Sequence, residues 1–171
     1  MSPDARAFTV HIHRSFIRLL ADGFAMRRYH RESGFMPFIY ADYASPIDAD
    51  IKQRFIRRHR LAPGGSITYY LDRGAPEPVR SALLEGARWW RDAFAAAGFP
   101  DALKVALLPK DAHPLDVRYN VIQWVHRETR GWSYGMSVVD PRTGEIIKGQ
   151  VTLGSLRVRQ DLMIARGLLS P

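Results

Sequence analysis

Apolar residues recur along this chain in two rhythms, and the change from one to the other marks out its elements. Val79, Leu83, Ala87, Trp90, Phe94 and Ala97 keep close to a 3.6-residue period, which gathers them on one face of a helix. Pro76, Glu77 and Pro78 stand at its start, where proline is tolerated and a carboxylate complements the helix dipole; Gly98 stands at its end as a C-terminal cap. Short runs of β-branched and aromatic residues at 67–71, 104–108 and 120–126 predict strands. The last of these is apolar on both faces, as a central strand requires. Residues 132–139 and 145–153 flank Asp140-Pro141-Arg142-Thr143-Gly144, a turn sequence that predicts a hairpin. Ser155 is then placed to cap a last helix whose stripe is Val158, Leu162, Ala165 and Leu169.

Ahead of the breaker Pro63-Gly64-Gly65 the pattern leans to strands, at residues 8–17 and 35–43. Between that second strand and the breaker, Ile51, Phe55 and Arg58 are spaced as in a short helix or turn over 48–58. The expected organisation is therefore a β-rich lead-in over 1–64 and a second unit over 65–171. The expected fold class is α/β (α+β), a mixed twisted sheet with a long helix packed on it.

Composition narrows this. At 171 residues, 46% hydrophobic and 25% charged, the chain fits one globular domain. No apolar run is long enough for a membrane span, and the N-terminus lacks the basic and apolar regions of a signal peptide. With no cysteine, disulfides and thiolate metal sites are excluded. The net charge of +8 raises the question of nucleic acid. The densest patch is Arg54, Arg57, Arg58, His59 and Arg60, with Arg27, Arg28 and Arg31 upstream. Neither a nucleic-acid signature nor an interleaved aromatic platform accompanies it, so nucleic acid is not expected as a partner.

Several motif-like stretches carry no chemistry on inspection. Gly131-Trp132-Ser133-Tyr134-Gly135 matches the nucleophile pattern of serine hydrolases, but that pattern needs a helix directly after it and a strand is expected here. None of His11, His13, His30, His59, His113 and His126 forms the i, i+4 pair of a zinc-binding helix. His11 and His13 would share one strand face, with no third ligand at hand; His113 and His126 read as loop and strand-end residues. The acid pairs Asp72 with Glu77 and Asp111 with Asp116 sit where capping explains them. No catalytic residue and no metal ligand is assigned to this chain.

Two stretches carry a resemblance: ITYYLDRGAPEPVRSALLEGARWWRDAFAAAGF from residue 67, and VRYNVIQWVHRETRGWSYGMSVVDPRTGEIIKGQVTLGSLRVRQDLMIARGLLSP from residue 117. Together they resemble the first part of the core of the large bacterial secreted zinc-dependent metallopeptidases of the metzincin clan. YHRESGF, DYASPI and FIRRHRL resemble the lead-in that precedes that core. In that family the next element is a helix bearing His-Glu-x-x-His-x-x-Gly-x-x-His, which supplies three zinc ligands and the general base; no such run occurs in these 171 residues. The resemblance implies a metalloendopeptidase scaffold, with zinc as cofactor of the full-length protein and none bound by this chain. It also implies a peptide or protein substrate and a periplasmic or extracellular location. It further implies an edge strand to which substrate adds, assigned here to Gly149, Gln150, Val151, Thr152, Leu153 and Gly154. If a zinc helix normally covers the sheet, the chain is expected to be inactive alone and to self-associate through the exposed face. The alternatives are a non-catalytic peptide- or partner-binding relative and a polyanion-binding module.

Overall fold

The run ITYYL carries its apolar side chains on alternate positions, and it forms β3 (Ile67–Leu71), with Ile67 and Leu71 buried. In the computed structural model, which describes residue 12 and residues 14–19, 23–128 and 131–169, this strand lies near the middle of a five-stranded sheet. β4 (Leu103–Leu107) pairs parallel with β3 on one side, and β5 (Asn120–Val125) pairs parallel with it on the other. β7 (Ile146–Gly154) runs parallel to β5, and β6 (Tyr134–Val139) closes the row antiparallel to β7. The order is β4-β3-β5-β7-β6. With its helices this is the mixed α/β architecture that the pattern predicts.

Between β3 and β4 runs the helical layer, where α1 (Val79–Arg88) and α2 (Trp90–Ala96) replace the single helix expected. The chain tightens at their junction, where Trp89 N–H donates to Gly86 O and Asp92 N–H donates to Trp89 O, both three residues back. The Glu77 carboxylate accepts from both the backbone N–H and the hydroxyl of Ser81, which satisfies a donor of the first turn. At the other end Gly98 takes φ +87°, with Gly98 N–H donating to Ala95 O and Phe99 N–H to Phe94 O. Those two bonds make a Schellman cap.

Side-chain alternation divides the sheet. Toward α1 and α2 it presents Ile67, Tyr69, Val105, Ile122, Val151 and Leu153. On the opposite face lie the polar Gln123, Lys148, Gln150 and Thr152, the last three buried. A loop over 108–119 accounts for much of this. The Lys148 ammonium donates to the carbonyls of Pro114 (2.9 Å), Asp116 (3.1 Å) and Tyr119, and Gln150 Nε2 donates to Gln123 Oε1 at 2.9 Å. Burial pushes the Lys148 pKa below its ordinary value, while Asp116 pulls it the other way.

The lead-in differs from its expected form. Residues 35–43 do contain a strand, β1 (Pro37–Ala41), but residues 48–58 are not helical. They contain β2 (Lys52–Ile56), antiparallel to β1, with Pro37 opposite Ile56 and Ala41 opposite Lys52. Cross-strand partners, Tyr40 stacked near Phe55 among them, outweigh a three-residue helical spacing. Of the strand expected at 8–17, residues 8–11 and 13 lie outside the described residues, and 12 and 14–17 are in no strand. The hairpin docks on the core through Arg58 and Gly144 to Ile146: Ile146 N–H donates to Arg58 O at 2.9 Å. Beside that junction Arg60 grips the buried Glu145 with two 2.8 Å hydrogen bonds.

The last helix is the second departure. α3 (Ser155–Leu169) forms as the spacing predicts, yet none of its residues is buried, and Leu169 is 83% exposed. Its stripe of Val158, Leu162, Ala165 and Leu169 covers no core among the described residues.

Candidate functional site

A strand can receive a peptide only if one row of its N–H and C=O groups is unpaired. The strand assigned to that role, residues 149–154, fails this test. Val121 to Val125 of β5 pair with Gln150 to Gly154 on one side, and Tyr134 to Ser137 of β6 pair with Thr152 to Gly149 on the other. β7 is interior, so Gly149, Gln150, Val151, Thr152, Leu153 and Gly154 offer no free backbone edge. In a hairpin either strand can take the outer place, and here the nine-residue strand with buried polar positions goes inside while the six-residue strand goes outside.

Among the described residues, β6 is the outer strand at this end of the sheet. Its sequence YGMSVV has no charge and no proline, the features that usually blunt an edge. Tyr134, Met136 and Val138 are 41%, 60% and 43% exposed. They lie opposite Thr152, Gln150 and Lys148, so they form one apolar row, while Gly135 and Ser137 form a row of small residues on the other face. The register slips between Val138 and Val139, which ends the regular ladder. The outer neighbour at the other end, β4, carries the exposed Lys104 and lies against α1 and α2. Ahead of β6, Arg127 reaches the Tyr134 hydroxyl at 3.1 Å and lies over its ring. Ser133, the residue of the hydrolase-like pattern, accepts the Gly154 N–H at 3.2 Å, and a strand follows it.

A second constellation lies over the middle of β7. Tyr69 Oη shares a 3.2 Å hydrogen bond with His59 Nε2 and rests directly above Gly149. A Cβ built on Gly149 would come 2.1 Å from that oxygen, so only glycine admits the ring. Burial raises the Tyr69 pKa; burial also lowers that of His59, with Glu145 opposing. Both are therefore neutral near neutral pH. The sequence signal for this pair was a glycine in mid-strand, which marks close approach of another group.

The remaining residues singled out in the sequence do local work. His30 and His113 accept backbone N–H groups of Glu32 and Leu115, and His126 bonds the hydroxyl of Ser155. His11 and His13 lie outside the described residues. Asp72 accepts from Gly74 N–H, and Asp116 from the backbone and guanidinium of Arg118. Three arginines of the patch are used within the fold: Arg54 pairs with Asp50, Arg58 stacks 4.2 Å from Phe24 and bonds Ala25 O, and Arg60 holds Glu145. Among the described residues no three His, Asp or Glu side chains converge as a metal site.

A family model described as "Domain of unknown function (DUF5117)" matches residues 1–64, a span that ends within Pro63-Gly64-Gly65. No curated protein and no solved structure matches the chain.

Proposed function

We infer that this chain provides the sheet scaffold and the peptide-binding edge of a zinc-dependent metalloendopeptidase, with the zinc ligands and general base supplied from outside residues 1–171. The observation that carries this reading is the outer place of β6 among the described residues, a strand without charge or proline beside an interior β7. An extended peptide added there gains main-chain hydrogen bonds whatever its sequence, and its alternate side chains meet Tyr134, Met136 and Val138. The resemblance of residues 67–171 to metzincin cores supports the enzyme class, and with it a periplasmic or extracellular location. No chemical step is assigned to residues of this chain.

The test is made on the protein encoded by the complete native reading frame. One tightly held zinc per chain by elemental analysis, with cleavage of casein abolished by a chelator, is the expected result. Full-length protein that holds no zinc and leaves casein intact would sink the enzyme reading.

A further inference from the structure

Between the helical layer and the sheet lies a cavity of about 580 Å³ whose walls are almost wholly hydrocarbon. Leu83, Ala87 and Phe94 form the helical wall, and Val105, Ile122 and Val151 the sheet wall. His59 and Tyr69 stand at it as a hydrogen-bonded pair. No residue of α1 or α2 is buried. We propose that this cavity is a binding site for a small neutral, hydrocarbon-rich molecule bearing one hydroxyl or carbonyl group, which the Tyr69 hydroxyl and His59 engage.

Three features fix that class. The volume lies within the range of about 300–1,000 Å³ typical of small-molecule sites, and the lining has the usual apolar walls with few convergent polar groups. Burial holds both His59 and Tyr69 neutral, and no cation lines the cavity, so an anionic headgroup would lose its hydration without a partner. Glycine at 149 leaves the space in which the Tyr69 hydroxyl lies while bonded to His59. The site is read on residues 1–171 alone, and its test does not depend on peptidase activity.

The experiment titrates the chain with the neutral dye Nile red and displaces it with 1-decanol, decane or decanoate. Saturable binding at one site per chain is expected, with decanol displacing at least about tenfold more effectively than decanoate. Tyr69→Phe should weaken decanol about fivefold and leave decane unchanged, the pattern of one lost hydrogen bond. Ala87→Phe, and from the opposite wall Val151→Phe, should each remove dye binding while a cooperative thermal transition persists; either folded variant suffices. Dye binding that survives a folded cavity-filling variant, that is lost instead in Leu168→Ser/Leu169→Ser on α3, or that never saturates would overturn the proposal.

Discussion

Glycine 149 shows how one missing side chain sets a site. The Tyr69 ring occupies the space that a Cβ would take, with Oη at 2.1 Å and the adjoining ring carbons at 2.8 and 3.1 Å from the built position. Gly149→Ala must therefore swing an aromatic ring rather than a flexible chain end, and it breaks the His59 hydrogen bond in doing so. The expected cost is about 1–3 kcal/mol in urea unfolding, the range for overpacking a filled site. Combined with Tyr69→Ala it should cost clearly less than the sum of the two single changes, because the clash and the ring are one interaction. Strict additivity would show that the ring does not occupy that space. The sequence pointed to a strand around residue 149 but not to this contact: a mid-strand glycine signals close approach without saying of what, and Tyr69 is 80 residues away along the chain.

At the scale of elements, local pattern and long-range pairing divide the outcome. The helix stop at Gly98, the turn closing at Gly144 with φ +72° and the central place of β5 were all legible, because each rests on residues close in sequence. What was not legible depended on partners. β2 looked helical until β1 paired with it, and the choice of β6 over β7 as the outer strand depended on which of two hairpin strands met β5. The loop over 108–119 is a further case, since its anchor, Lys148, comes from β7. Within that loop, hydrogen bonds donated by the Arg118 guanidinium and backbone N–H to its carboxylate hold the Asp116 pKa down at about 2. A carboxyl with a folded pKa below its unfolded value, ordinarily about 3.9, adds stability above that value and loses it as pH falls toward the folded pKa. Asp116→Asn should therefore be less stable than the parent at about pH 5, with the gap closing toward about pH 2. Urea midpoints measured across that range check it, and a gap that stays constant with pH would show that the carboxylate charge is not what matters.

At the scale of the molecule, the described residues cover the apolar face of the sheet only in part. α1 and α2 lie over β3 and β4, while Ile122, Val151 and Leu153 further along the same face are only partly covered, and α3 stands off with its apolar side chains in solvent. The exposed apolar side chains of α3 favour association, with another copy or with other protein. The buried ion pairs lie at the hairpin junction, where Glu145 and Asp140 are enclosed by Arg60 and Arg142. This arrangement holds the β6–β7 hairpin at one end, and among the described residues no further strand pairs with the outer side of β6. The reading of the chain as a peptide-binding scaffold rests on that outer side.

Amide hydrogen exchange tests that point most directly. The chain is compared alone and with an excess of an unstructured casein peptide, and exchange is followed residue by residue across β6 and β7. A peptide that adds as a sixth strand should slow exchange of alternate amides within Tyr134–Val139, those whose N–H groups point outward, and leave the doubly paired amides of β7 unchanged. Protection that appears along Gly149 to Gly154, or no change in β6 at saturating peptide, would contradict the account.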